Sequence, residues 1–131
     1  MNNGNPIWGC TIPGQPITKK NSQRIIINSK TKRPMIMPSK QYKDYENSAK
    51  QYITPPEQPI DKAVNVQCLY FMPSVRACDL TNLMEATHDI LVKNKVLADD
   101  NNRIIESVDG SRVHYDKENP RVEVLVWETE E

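Results

Sequence analysis

A chain of 131 residues fits one domain, large enough to bury a core without disulfides or a structural metal. Its ten prolines are spread through the connections, there are no repeats or low-complexity tracts, and no apolar run approaches the roughly 20 residues that cross a bilayer, which excludes a helical membrane span. Net charge is zero, yet residues 1–50 hold nine Lys or Arg against Asp44 and Glu46, a balance of +7 that the remainder offsets at −7. The start MNNGNPIWG lacks the basic and apolar stretches of a secretory signal, so a cytoplasmic protein is expected.

In chain order, Ile7 to Ile12 reads as a first strand, stopped by Pro13 and Gly14. Arg24 to Asn28 and Met35 to Met37 are apolar runs separated by SKTKRP, a hairpin with a basic tip suited to a DNA backbone. Ser39 can cap a helix from Lys40 to about Ile53, with Tyr42, Tyr45, Ala49 and Tyr52 at helical spacing. Val64 to Met72 alternates as a strand with Val64, Val66, Cys68, Tyr70 and Met72 on one face. A second helix runs from Asn82 to Lys93: Leu83, Ala86, Thr87, Ile90 and Leu91 form its apolar stripe, and Asn82, Glu85 and Asp89 lie on another face. Arg103 to Val108 and Val122 to Trp127 read as further strands, with a turn at Asp109-Gly110. The sum is a single α+β domain over residues 1–131, a small mixed or antiparallel sheet with two main helices packed on it, carrying a basic segment (14–50) and an acidic core (76–102).

The acidic core reads RACDLTNLMEATHDILVKNKVLADDNN. Asp79 precedes the helix and Asp99-Asp100 follow it, and twelve helical residues span roughly 18 Å. The two carboxylate groups meet only if residues 93–98 turn back along the helix, with Val96 and Leu97 packing as a short strand beside the one that ends at Met72. Carboxylates so gathered suit magnesium, which prefers oxygen ligands, and point to metal-assisted phosphate chemistry beside a basic surface that holds a polyanion. Alternatively, Asp79 caps the helix, Asp89 pairs with Lys93 four residues on, Asp99-Asp100 form a turn, and the lysines are a solvated edge.

The run Asp79-Leu80-Thr81-Asn82-Leu83-Met84-Glu85, followed past the helix by Asp99-Asp100, resembles the D-x-D-N-x-x-K and D-D signature of the RusA-type Holliday junction resolvases. Upstream, Gly14-Gln15-Pro16 followed by Lys19, Lys20 and Arg24 is similar to the family's G-x-P with basic residues. Thr81 stands in place of the second aspartate and Glu85 in place of the lysine. The resemblance implies a homodimer of bacterial or prophage setting that binds four-way and other branched DNA by shape and phosphate charge. It also implies paired cuts made with magnesium, or manganese in its place, and neither an organic cofactor nor a membrane.

Under that resemblance Asp79 and Asp100 are the primary catalytic metal ligands, Glu85 a compensating ligand, and Asp99 a ligand or orienting neighbour. Asp89 is a further ligand or accepts a hydrogen bond from metal-bound water, and Lys19 or Lys20 takes the place of the missing lysine. The DNA-binding set is Lys19, Lys20, Arg24, Lys30, Lys32, Arg33, Lys40 and Lys43, joined by Arg112, whose guanidinium either clamps phosphate or makes a structural ion pair. His88 is either a base near Glu85 or an ordinary helical histidine; Cys10, Cys68 and Cys78 lack C-x-x-C spacing and read as reduced packing residues. A branched-DNA-binding protein that cuts weakly or not at all, and an unrelated module with a chance Asp-Asp turn, are the competing readings.

Overall fold

Alternation in β4 (Val64–Met72) sends Val64, Val66, Cys68, Tyr70 and Met72 to one face, and all are buried in the computed structural model, which describes residues 4–19 and 23–129. Antiparallel to it lies β7 (Arg121–Glu128), whose Val122, Val124 and Val126 stand opposite Tyr70, Cys68 and Val66 and are equally buried. On the far side of β7 is β1 (Trp8–Pro13), with Ile12 across from Val122. The other edge of β4 carries two short parallel strands: β5 (Ile105–Ser107) beside Val64 and Asn65, and β6 (Arg112–Tyr115) beside Leu69 to Met72. These make the five-stranded mixed sheet.

Asn65 explains why β5 and β6 are separate. Its buried amide accepts from Ser107 Oγ (2.6 Å) and the Asp109 amide (2.7 Å) and donates to the Asp109 carbonyl (3.1 Å), knitting the intervening turn onto β4. Gly110 completes that turn at φ +86°, a backbone that a side chain would strain.

Helix α1 (Lys40–Ala49) starts at Ser39, whose hydroxyl accepts from the Tyr42 amide at 3.1 Å. It is shorter than the 40–53 expectation, because Lys50–Tyr52 tighten into a 3₁₀ turn and Ile53 is extended ahead of Pro55 and Pro56. Helix α2 (Leu80–Lys93) links β4 to β5 and buries Leu83, Ala86, Thr87, Ile90 and Leu91 against the sheet. Each large apolar side chain fully buried there contributes about 1.5–3 kcal/mol. The Thr87 hydroxyl is matched inside the core by Tyr70 Oη at 2.7 Å.

The basic hairpin forms as read, with β2 (Gln23–Ile27) antiparallel to β3 (Pro34–Pro38), but it is a sheet of its own. Asn28 Oδ1 accepts from the amides of Lys30 and Thr31 at 2.9 and 3.0 Å, and Lys32 takes φ +60° to close the tip.

Three local expectations change. The strand anticipated over 103–108 is only Ile105–Ser107, since Asn101 Oδ1 binds the Arg103 amide and the Asn101 carbonyl binds the Ile104 and Ile105 amides, making a turn. Ser111 to Tyr115, expected on or after a strand edge, contains a strand of its own, β6, paired in parallel with Leu69 to Met72. Val96 and Leu97 are buried, but Leu97 bridges in parallel to Ile60, ahead of β4, rather than lying beside its Met72 end.

Candidate active site along helix α2

The head of α2 is built on Asp79. With φ −102° and ψ 110° it is the N-cap, and its Oδ1 accepts from the Thr81 amide (3.0 Å), the Asn82 amide (3.3 Å) and the Thr81 hydroxyl (2.6 Å). The capping role and the exposed position of the carboxylate coexist. Thr81 therefore holds the neighbouring carboxylate by donating to it, where an aspartate would repel it.

Asp99 and Asp100 lie past α2, on the segment leading to β5 at the Val64 end of β4, whereas Asp79 follows the Met72 end. Asp99 makes a turn: Oδ1 accepts from the Asp100 amide at 2.7 Å and Oδ2 from Asn101 Nδ2 at 3.1 Å. Asp100 is near enough to His88 to act on its protonation. His88 is nine residues along the helix from Asp79, roughly 13 Å of axial rise. Thr81, Glu85 and His88 follow one another at helical spacing on the outer face, the first two exposed and His88 half-buried. The oxygen donors of Asp79, Glu85, Asp99 and Asp100 suit a hard divalent cation in type. Among the described residues no three His, Cys, Asp or Glu side chains gather into a set that could hold one.

Burial holds the His88 pKa below its ordinary value, opposed by the Asp100 carboxylate, and Nε2 is shielded without a hydrogen-bond partner among the described residues. A histidine whose folded pKa is depressed stabilises the fold fully above the unfolded value and loses that contribution as pH falls through it. Unfolding free energy is expected to decline as pH drops below about 6.5. Urea titrations between pH 7 and 5 should show that decline in wild type and a flatter one in His88→Gln; equal slopes would exclude His88 as the group responsible.

A charged network beside that face ties α2 to α1 and to Lys19. Asp89 pairs with Lys19 Nζ (3.5 Å) and Lys93 Nζ (3.3 Å), and Lys93 also reaches the buried Glu46 of α1 at 2.9 Å. Asp89, a candidate ligand on sequence grounds, is thus flanked by two ammonium groups, and Lys19 is occupied by a carboxylate. Beside them Tyr42 Oη is fully buried without a hydrogen-bond partner among the described residues, and its pKa is pushed up by burial and by Glu46 and Asp89.

Lys19 ends a strap that begins at Gly14, where φ is +98° and the amide donates to the Pro120 carbonyl at 3.0 Å. Between the strap and the head of α2 opens a cleft of about 230 Å³ whose walls include Gln15, Pro16, Gln41, Met72 and Leu83, with Asp79 on its rim. Gln41 carries no sequence motif, and Gln15 is marked only as the variable residue of the G-x-P frame.

Of the basic residues, Lys30, Lys32 and Arg33 are exposed at the hairpin tip, and Lys40 and Lys43 are exposed on α1, Lys40 pairing with Asp44 at 3.3 Å. Lys20 and the side chain of Arg24 lie outside the described residues. Arg112 is exposed on β6. The guanidinium locked in ion pairs is Arg121, bound to Asp116 and Glu123 and stacked 3.8 Å from the Phe71 ring centroid, with His114 stacked on Phe71 in turn. All three thiols are free, and burial pushes those of Cys10 and Cys68 up to about 12, leaving them inert.

A search of curated proteins found no match to the sequence. The family model for endodeoxyribonuclease RusA matches residues 13–127, from the end of β1 almost to the end of β7, and so takes in the strap, the capped head of α2 and the Asp99-Asp100 turn. With nearly the whole fold inside that match, the chain belongs to the RusA endodeoxyribonuclease family.

Proposed function

We propose that this protein resolves Holliday junctions and related branched DNA by phosphodiester hydrolysis assisted by a divalent cation, magnesium or manganese in its place. The observation that carries the reading is the exposed Asp79 carboxylate, fixed at the head of α2 on the rim of an open cleft, in a chain of this family. Asp79 and Asp100 would hold the cation, with Glu85 replacing the absent second aspartate and Asp99 orienting Asp100 through the hydrogen bond that its Oδ1 accepts from the Asp100 amide at 2.7 Å. When bound, the cation supplies charge neutralisation at the scissile phosphate and makes water acidic enough to attack near neutral pH.

The chain's own residues do the positioning. Thr81 and the first amides of α2 fix Asp79, and the exposed tip lysines with Arg33 hold the phosphates of a DNA arm. A homodimer presents one site to each of two opposing strands, because paired cuts call for paired sites. The setting would be the cytoplasm of a bacterium or of a cell carrying a prophage.

Thr81 and Glu85 favour a second reading, in which the protein binds branched DNA and cuts it poorly, since the hydroxyl donates to Asp79 where a ligand would accept a cation. One assay separates the two. A labelled four-way junction with magnesium should yield symmetric paired nicks, and binding should weaken steeply with salt as counterions are released. Shifted but uncut DNA would support the second reading, and a failure to bind at low salt would exclude both.

A further inference from the structure

The cleft beside Asp79 has the wrong chemistry for a phosphate and the right one for a flat neutral ring. Among the described residues its walls carry no Lys, Arg or His and a single carboxylate, Asp79, which repels anions. Pro16, Met72 and Leu83 give it apolar surface, while the amides of Gln15 and Gln41 each offer a donor and an acceptor. Neither amide is engaged by another side chain among the described residues. At about 230 Å³ the space is smaller than the roughly 300–1,000 Å³ that enclose drug-sized ligands, which suits a single heterocycle.

The walls are also held in place. Gly14 is tied to Pro120 at one end of the strap, and Lys19 to Asp89 at the other. Gln41 lies in the first turn of α1, behind the Ser39 cap. At a branch point the bases are not all stacked, and a strand whose phosphate lies at Asp79 would bring its flanking base to this opening. An unstacked base pairs apolar faces with a polar edge, and glutamine amides read such edges.

We propose that the cleft between the Gly14–Lys19 strap and the head of α2 receives one unstacked nucleobase next to the bond that is cut, and that Gln15 and Gln41 read its edge. The inference rests on the branched-DNA reading above and adds to it a determinant of where along a mobile branch the strand is nicked.

The test uses the full chain and a junction whose branch migrates through several sequences. Wild type should favour some positions over others, and Gln15→Ala with Gln41→Ala should lower that preference about tenfold, the effect of losing a good bidentate base contact. Junction affinity should stay within about twofold, because phosphate contacts dominate it. In cation-free buffer, 2-aminopurine at the branch point should brighten on binding to wild type, as an unstacked base does, and brighten less with the double variant. Binding without brightening, or an unchanged cutting pattern in the variant, would overturn the base pocket and leave the nuclease reading standing. If the wild-type protein binds no branched DNA, both fall.

Discussion

Asp79→Asn is expected to slow cutting of a four-way junction about a hundredfold or more, the loss typical when one charge stabilising a transition state is removed, while folding normally. Asparagine keeps an acceptor for the Thr81 and Asn82 amides and is as good an N-cap as aspartate, so the helix head survives. DNA affinity should hold or rise, since a carboxylate facing a phosphate repels it. Asp79→Ala separates the roles from the other side: it should lose the chemistry and, in addition, about 1 kcal/mol of stability from the missing cap. Nicking rates measured beside urea midpoints decide the matter. If Asp79→Asn cuts at the wild-type rate, the carboxylate is a cap and nothing more.

The second large effect concerns the link between the two helices. Lys93→Met leaves Glu46, whose side chain is only 8% exposed, without the ammonium that lies 2.9 Å away. Breaking a buried pair from one side costs about 3–5 kcal/mol. Lys93 itself is 46% exposed and solvent screens part of the field, so about 2 kcal/mol is expected. Glu46→Gln combined with Lys93→Met should recover most of it, because no charge is then stranded beside the buried Tyr42 hydroxyl. The pair is to be followed by urea unfolding with a constant denaturant slope. A single variant as stable as the double one would mean that Glu46 reaches solvent freely and the network is ornamental to the fold.

What could be read from the residues depended on whether the core imposed a rhythm. β4 and α2 were legible because Val64 to Met72 alternates and Leu83 to Leu91 recurs at helical spacing, and both patterns are consequences of burial against one face. β6 was legible only as a strand edge around Ser111 to Tyr115, because Arg112, Val113, His114 and Tyr115 are all exposed and burial imposes no order on them. The path after α2 was legible in part. Val96 and Leu97 are buried as their character demands, but the partner that fixes them is Ile60, on a segment that has no strand pattern. That partner sets the course of the segment that carries Asp99 and Asp100 from the end of α2 to β5. Glu46 and Lys93, 47 positions apart, carry no sign of their pairing, and the cleft depends on the joint placement of a strap, a strand end and two helices. The family signature was legible because the helix cap and the acidic turn use neighbouring residues.

The position of β7 between β1 and β4 has a consequence for how the protein is made. β1 has no hydrogen-bonding neighbour in this sheet until β7 has left the ribosome, so the sheet closes only after Glu128 has emerged. Until then both flanking strands present bare edges, and Val122, Val124 and Val126 are still to be delivered to the interior. Nascent chains stalled short of Arg121 would be sticky, and they are the natural clients of a chaperone.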